Sequence, residues 1–385
     1  MLRLLALVQK SPGLSPGQRF RLEQWAPHLR ADHGITIEFS PFESAELTEI
    51  LYAPGRRLRK ARLVLADTLR RRQDLRRSGA YDGVIVYREA AALGPALYER
   101  LFARRLPLLY DFDDAIWIPV AGSPNGAFAR LRFPGKTAAV CRLSRLITVG
   151  NQSLAAWAKA QAPGAQVAVV PTSVDLSRCT REAAEALPHP RSVDEPLVIV
   201  WSGSHSTLPY LEALREPLQK LGRERRVVLR IIANAPPLRP FADVVNCFVP
   251  WREAEEASAI SAAHIGVMPL PDEPFTRGKC GLKALLYMAC GVPAVVSPVG
   301  VNRDIVRPSE TGLWASDADG WLSALRALGC PAQGAALRAR LSQAGRRLVE
   351  AEYSAPRSAA RYAQAVHQAL APLPHATPPF TQPAQ

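Results

Sequence analysis

Residues 277–311 read RGKCGLKALLYMACGVPAVVSPVGVNRDIVRPSET and contain the clearest structural pattern in the chain. Gly278–Cys290 has the apolar spacing of a buried helix, and Ala294–Ser297 has the continuous apolar character of a strand covered on both faces. A glycine turn at Gly300 follows that strand. A helix that leads into a short apolar strand is one step of a parallel α/β sheet, so further steps are expected on either side.

The first half of the chain repeats this alternation. The predicted strands are Leu4–Val8, Ile35–Phe39, Gly83–Tyr87, Pro107–Tyr110, Leu146–Val149 and Val167–Val170. Helical periodicity separates several of them, at Arg21–Arg30, Arg56–Arg77 and Leu93–Ala103. This order predicts βαβ units on a parallel sheet with helices on both faces.

A second series begins after a proline-rich interruption at Arg178–Pro196. Its predicted strands are Leu197–Trp201, Val227–Ile232, His264–Pro269 and Ala294–Ser297, and its predicted helices are Thr207–Leu221, Ala254–Ala263 and Gly278–Cys290. Two doubly wound halves of similar size place a cleft between them. Ligands of such sheets bind outside the carboxyl ends of the strands.

Charge and cysteine content limit the classes of protein. The formal net charge of +14 favours anionic partners such as nucleotide phosphates, nucleic acid or an acidic membrane surface. The six cysteines form no C-x-x-C pair, which indicates reduced thiols in a cytoplasmic protein. No apolar run approaches the length of about 20 residues that a transmembrane helix needs. We therefore predict a cytoplasmic chain, or one that is peripheral on the inner face of a membrane.

The 277–311 segment resembles the signature of the group 1 glycosyltransferases, the large retaining family 4. The matching features are Met288-Ala289-Cys290-Gly291-Val292-Pro293, then Gly300, Asp304 and Thr311-Gly312. Tyr110–Trp117, Val149-Gly150-Asn151 and Trp201–Ser204 are similar to other parts of that family. The resemblance implies a GT-B fold, in which two Rossmann-like doubly wound parallel-sheet domains face a cleft, and a retaining transfer of a sugar from a nucleotide-sugar donor.

The resemblance also implies roles for the parts of the chain. Residues 1–177 are predicted to form the acceptor domain, 178–196 a linker, and 197–350 the donor domain. Residues 351–371 are predicted to form a helix that crosses back to the first domain, as in similar proteins. The tail 372–385 is proline-rich and is predicted to be disordered.

The start of the Gly278–Cys290 helix is the predicted donor site. Free backbone N–H groups and the helix dipole at such a terminus bind pyrophosphate, and Gly278 and Gly281 allow close approach. Lys279, Lys283 and Arg277 would stabilise the charge that develops on the leaving nucleoside diphosphate. The alternative is that the lysines are solvated and the glycines only shape a loop.

One departure from the family pattern concerns two glutamates eight positions apart. By similarity, the first contacts the sugar and the second holds the ribose hydroxyls. Gly278 and Leu286 stand at those positions here. Glu273 is predicted to take over the first role, whereas the Leu286 side chain cannot hydrogen-bond a ribose. The donor is therefore not specified, and a catalytically weakened protein is an alternative.

The acidic run Asp111-Phe112-Asp113-Asp114 follows a predicted strand. The carboxylates of Asp111, Asp113 and Asp114 would ligate a divalent metal, seat an acceptor hydroxyl, or cap the next helix. The metal alternative would predict a single nucleotide-binding sheet, and two sheets are predicted here. We therefore predict that these carboxylates contact the acceptor or shape the cleft, with no metal and no cofactor. The turn with Gly17 and Arg19 after the first strand is assigned to the acceptor side of the cleft, with a surface helix start as its alternative.

Further donor contacts are predicted after strands of the second domain. These residues are Gly203, Ser204 and His205, together with backbone amides of Val299, Gly300 and Val301. A lone histidine is more often structural, so His205 has an ordinary alternative role.

Residues 51–80 hold ten Lys or Arg and two Asp, with leucines at helical spacing. One interpretation is docking on anionic lipid, which would suit a lipid-linked acceptor, and the other is a solvated outer helix. Nucleic-acid binding is not expected, because zinc-ligand spacings and aromatic clusters are missing. The sequence thus predicts a glycosyltransferase with a saccharide or lipid-linked acceptor. Its rivals are a sugar-nucleotide epimerase or phosphorylase of the same architecture and a nucleotide-binding scaffold.

Overall fold

The computed structural model describes residues 1–51, 55–91, 94–118, 133, 135–179 and 189–371. The strands are β1 Leu2–Val8, β2 Ile35–Pro41, β3 Gly83–Tyr87, β4 Leu108–Phe112, β5 Leu146–Val149, β6 Gln166–Val169, β7 Leu197–Ser202, β8 Val227–Ala233, β9 Val245–Pro250, β10 Ile265–Met268, β11 Ala294–Val296 and β12 Gly312–Trp314. The predicted tail 372–385 and the linker residues 180–188 lie outside these ranges.

The α-helices enclose the strands. They are α1 Pro16–Gln18, α2 Ala26–His33, α3 Ala45–Ile50, α4 Arg57–Arg76, α5 Leu97–Ala103, α6 Lys136–Leu143, α7 Gln152–Gln161, α8 Arg215–Glu224, α9 Glu253–Ser261, α10 Pro274–Arg277, α11 Leu282–Ala289, α12 Asn302–Ile305, α13 Ala318–Gly329, α14 Gly334–Glu352 and α15 Ala355–Leu370. A π-helical turn, Arg19–Glu23, and a 3₁₀ segment, His205–Leu214, follow β1 and β7.

Two parallel sheets form the molecule. Within the described residues, one has six strands in the order β2-β1-β3-β4-β5-β6 and the other has six in the order β12-β11-β10-β7-β8-β9. Strands β3, β4 and β10 are buried over their whole length and β7 is buried except at the half-buried Val198, as expected of continuous apolar strands when helices cover both faces. The prediction of an α/β fold with two doubly wound parallel sheets is confirmed.

Two strands, β9 and β12, were not predicted from the sequence. Strand β9 is an edge strand whose residues are mostly exposed or half-buried, so it carries no continuous apolar run. Strand β12 has three residues, which is too short for a period to be read. Both lie at the borders of the second sheet, where one side needs no partner.

The end of the first domain lies beside the segment that leads back to it from the second domain. Val174 pairs with Ser354, and its N–H donates to the carbonyl of Tyr353 while its own carbonyl accepts from Ala355. Helix α15 then packs on the first domain, where the rings of Tyr362 and Trp25 lie 5.4 Å apart. Among the described helices, none is long and apolar enough to cross a membrane.

Candidate functional site

A cavity of about 450 Å³ lies between the two sheets, at the carboxyl ends of their strands. The first domain lines it with residues from its strand ends and the turn after β1, including Gly17, Phe20, Arg88, Asp113, Asp114 and Thr172. The second domain lines it with Ser202, Gly203, Ser204, Asn234, Trp251, Glu256, Lys279, Gly281, Lys283 and Leu286, among others. The cavity therefore joins both domains at the position where such sheets bind ligands.

The helix that faces this cavity begins later than predicted. Helix α11 starts at Leu282, and Gly281 before it has a left-handed φ of +68° that favours glycine. Gly278 instead ends the short helix α10, and a Cβ there would lie 2.8 Å from the Cβ of Ala115 in the other domain. The predicted start at Gly278 is wrong because this glycine serves close packing between the domains.

Lys283 lies in the first turn of α11. Its Nζ is 3.4 Å from Oγ1 of Thr207 and 4.7 Å from the centre of the Trp201 ring. Burial, together with the neighbouring charge of Lys279, lowers the pKa of Lys283 to about 7. The carboxylate of Asp114 acts to raise this pKa but is outweighed.

Lys279 lies in the loop before α11 and not on its first turn. Its Nζ is 3.7 Å from Oδ1 of Asp114 and 4.7 Å from the centre of the Phe275 ring. The side-chain amide of Asn151 donates to the carbonyls of Gly278 and Lys279 across the domain border. The loop that carries Lys279 is thus held by both domains.

The acidic run separates into two environments. Asp111 is fully buried and accepts two hydrogen bonds from Arg21, at 3.0 and 2.6 Å, and one of 2.6 Å from Thr148. Asp111 does not belong to the described lining of the cavity. Its carboxylate serves the core of the first domain.

Asp113 and Asp114 do line the cavity. Asp113 accepts from the Tyr87 hydroxyl at 2.9 Å and from Arg88, which also contacts Asp114 at 2.9 Å. Burial acts to raise the pKa of Asp113, but the guanidinium groups of Arg88 and Arg21 outweigh it and lower the pKa. Arg88, which the sequence patterns did not identify, has a strained φ of +61° and fixes both carboxylates.

Other predicted site residues lie apart from the described lining. Arg277 is exposed and bonds to Asp272, Glu273 begins helix α10, and His205 is exposed and bonds to Asn234. Gly300 packs against the backbone of Arg277, and the Val299 amide donates to the Ser297 carbonyl. The 299–301 turn therefore packs against the start of the loop that carries Lys279. Arg19 forms ion pairs of 3.0 Å with both Glu253 and Glu256 and thereby joins the domains.

Trp251 and Glu256 line the cavity but were not predicted. Both residues follow strand β9. Because this strand was not predicted, the sequence did not show that they lie after a strand end, where ligands of such sheets bind. The Nε1 of Trp251 donates to Oε1 of Glu256 at 2.9 Å, and Ser202 Oγ lies 3.3 Å from the same oxygen. The second domain therefore contributes a buried carboxylate to the described lining of the cavity.

Comparison with known proteins gives the class. Residues 197–329 match the family model described as Glycosyl transferases group 1. No curated protein matches the sequence.

Solved structures match over nearly the whole chain. Sucrose-phosphate synthase from Thermosynechococcus elongatus is 20% identical, with a TM-score of 0.68 over 95% of this chain and 98% of that one. The catalytic domain of starch synthase IV from Arabidopsis thaliana, bound to ADP and acarbose, is 13% identical, with a TM-score of 0.64 over 96% and 99%. Anabaena HepE in complex with UDP-glucose is 12% identical, with a TM-score of 0.63 over 96% and 100%.

These likenesses show the GT-B fold. Together with the group 1 domain at residues 197–329, they indicate a glycosyltransferase.

Proposed function

We propose that this protein transfers a sugar, with retention as in family 4, from a nucleotide-sugar donor to a saccharide or lipid-linked acceptor. The observation that carries the proposal is the pairing across one cavity of Lys283 at a helix start with the arginine-held carboxylates of Asp113 and Asp114. The first group binds an anion, and the second accepts hydrogen bonds from hydroxyl groups. A nucleotide sugar and its acceptor present these two chemistries side by side.

The donor diphosphate fits the second domain. Gly281 and Leu282 form the start of helix α11. Gly203 and Ser204 form the loop after β7 and line the same cavity. Lys283 and Lys279 supply positive charge on that side. Sugar donors bound by the matched structures, such as the UDP-glucose of HepE, have this diphosphate in common with the ligand proposed here.

The reaction then needs positioning and charge stabilisation. The bond between the anomeric carbon and the β-phosphate oxygen breaks, and its electron pair stays on the nucleoside diphosphate. The acceptor oxygen bonds to the anomeric carbon, and its proton passes to the departing phosphate. Lys283 stabilises the charge that grows on that phosphate, which lowers the barrier more than it tightens ground-state binding.

Metal-independent transfer is part of the proposal. A D-x-D metal site would need free carboxylate oxygens on Asp111 and Asp113, and each is held by arginine. The charge that a metal would supply to the diphosphate is supplied by the two lysines in this scheme.

A nucleotide-sugar panel with and without EDTA tests the function. Purified protein is expected to release UDP, GDP or ADP slowly from one donor, at a rate that EDTA leaves unchanged. Loss of release with EDTA would contradict metal independence. Conversion of a donor into an epimeric nucleotide sugar without any acceptor would replace transfer by epimerisation.

Leu286 supports one alternative. This apolar side chain lines the cavity at the position where the family resemblance places a ribose-binding glutamate. A protein without that contact would bind nucleotide weakly and act as a scaffold. Binding of a nucleotide sugar with no release of nucleoside diphosphate, even with acceptors present, would favour this alternative.

The surface of helix α4 supports a membrane-bound acceptor. Arg71 donates to the carbonyls of Val8 and Ala90 at the carboxyl end of the first sheet, and the residues of α4 that precede it form an extension about 20 Å long. On this extension Leu58 is 84% and Leu65 60% exposed, among arginines. Exposed leucines between basic residues fit the surface of an anionic bilayer.

Vesicle binding tests this surface. Wild-type protein is expected to sediment with phosphatidylglycerol-containing vesicles and not with pure phosphatidylcholine. Replacing Leu58, Leu65 and Leu69 with glutamine should weaken binding at least about tenfold, because three inserted apolar side chains are lost. Leu238→Gln removes a fully exposed leucine of the other domain and serves as the control. Equal binding of the triple variant and the control would disprove the docking surface.

A further inference from the structure

Glu256 is the one buried carboxylate of the second domain in the described lining of the cavity, and the proposed transfer assigns it no role. It lies in the first half of helix α9 and is 8% exposed. Phe20, Met268 and Leu286 line the same cavity. A charge buried beside apolar groups needs partners, and these partners define what else it can bind.

The hydrogen bonds of Glu256 leave one acceptor position open. A carboxylate offers about four lone-pair positions on two oxygens. Oε1 accepts from Trp251 Nε1 at 2.9 Å and from Ser202 Oγ at 3.3 Å, and Oε2 accepts from Arg19 at 3.0 Å. No second donor to Oε2 is found in the described parts of the chain, so the side chain can accept one further hydrogen bond. Arg19 is shared with Glu253, which also pairs with Arg178, so two arginines balance the two carboxylates and an anionic ligand is not repelled.

Its place along the cavity follows from Ser202. The Ser202 N–H donates to the Tyr287 hydroxyl on helix α11 at 3.0 Å, while its Oγ contacts Glu256. Leu286 precedes Tyr287 and lies about one helical turn, or 5 Å, beyond Lys283. In a nucleoside diphosphate, the ribose is the group attached to the diphosphate. With the diphosphate at Lys283, a ribose attached to it can extend along the same cavity wall, which Leu286 and Glu256 both line.

We propose that Glu256 binds a ribose hydroxyl of the nucleotide and so supplies, from helix α9, the contact that Leu286 cannot make. This inference rests on the proposed nucleotide-sugar donor. Glu256 acts as a binding and specificity residue, because it accepts a hydrogen bond from the donor without touching the anomeric carbon. It predicts discrimination between ribonucleotides and deoxyribonucleotides.

Calorimetric binding of UDP, GDP and ADP, and of their 2′-deoxy and 3′-deoxy forms, provides the test. The ribonucleotide that binds is expected to lose about 10- to 100-fold in affinity when the contacted hydroxyl is removed, as for a hydrogen bond to a charged group. Glu256→Gln replaces one acceptor oxygen with a donor, and Glu256→Ala removes both oxygens. In both variants the ribonucleotide should bind more weakly, and the difference from the deoxy form should disappear.

Glu253→Gln is the matched control. Glu253 pairs with the same arginine, Arg19, at 3.0 Å but lies outside the described lining of the cavity. This variant should keep the ribose discrimination of the wild type. Its retention would show that the effect in the Glu256 variants does not come from a weakened contact between the domains.

Two results would overturn the inference alone. Glu256 variants that lose the same affinity for ribo and deoxy forms would show a structural role, and variants that bind the diphosphate normally but lose the intact nucleotide sugar would place the carboxylate on the transferred sugar. Wild-type protein that binds none of the nucleoside diphosphates or nucleotide sugars would instead overturn the proposed function, and the inference with it.

Discussion

Replacing Lys283 with alanine is expected to lower turnover by about 100- to 1000-fold, the effect of removing one group that stabilises charge in a transition state. Lys283 stands at the start of α11 and faces the cavity, where the diphosphate is proposed to leave. The Lys279→Ala variant should lose less, since this lysine is already paired with Asp114. Steady-state release of nucleoside diphosphate measures both effects.

Lys220→Ala is the control for this prediction. Lys220 belongs to the same domain but pairs on the surface with Glu216 at 2.8 Å. Its loss should leave turnover unchanged. If Lys283→Ala, folded as judged by its thermal transition, keeps wild-type turnover, the diphosphate does not lie at this helix start.

The pH dependence of binding follows from the same lysine. In the free protein the pKa of Lys283 is about 7, below its ordinary 10.5, because burial and Lys279 disfavour the ammonium form. The ammonium form binds the diphosphate, so affinity should fall by up to about tenfold per pH unit above pH 7. The dependence should be missing in Lys283→Ala.

The pH dependence of stability has the opposite sign. Between pH 7 and 10.5 the unfolded chain binds more protons at Lys283 than the folded chain does, so the contribution of this lysine to the free energy of unfolding rises with pH.

Asp111→Asn is expected to reduce the free energy of unfolding by about 3–5 kcal/mol, the cost of leaving one member of a buried ion pair without its partner. Asp111 and Arg21 have no exposed side-chain surface and form two hydrogen bonds with each other. Urea titration followed by circular dichroism measures the change. Asp111 would then be a structural residue of the first domain and not a ligand of metal or acceptor.

An exposed ion pair supplies the comparison. Glu224 pairs with Arg326 on the surface of the second domain, and Glu224→Gln should cost less than about 1 kcal/mol. Replacing Arg21 and Asp111 together with methionine and leucine should cost less than Asp111→Asn alone, because no buried charge is left unpaired. A wild-type midpoint for Asp111→Asn would contradict this account.

The sequence patterns predicted most of the fold because buried parallel strands need continuous apolar runs. Strands β3 and β5 agree residue for residue with Gly83–Tyr87 and Leu146–Val149. Strand β9 was missed, since an edge strand is half exposed and shows no such run. The start of α11 was misplaced because Gly278 and Gly281 are equivalent in a one-dimensional pattern, and only the packing of Gly278 on Ala115 separates them.

The sequence patterns predicted those site residues whose position depends on neighbouring residues in the chain. Lys283, Asp113 and Gly17 follow predicted strands or begin a predicted helix, and the structure brings them to one cavity. Arg277 and Arg19 also lie at predicted turns beside the cleft, but both form ion pairs within the protein. Arg277 pairs with Asp272, and Arg19 pairs with Glu253 and Glu256. Such partners come from distant parts of the chain, so their effect is invisible before the fold is known. The assignment of Lys283 and Arg277 to catalysis, and of Gly17, Arg19 and Asp113 to the acceptor side of the cleft, stays a prediction.

Helix α15 has a consequence for the order in which the chain matures. Its residues Ala359, Tyr362 and Val366 complete the core formed by β1, Trp25 and β4 of the first domain. This part of the first domain's core is therefore complete only after the whole second domain and helix α15 have been synthesised. Before that point, the apolar sheet face that α15 covers lacks its partner, so burial of this face depends on the last described helix of the chain.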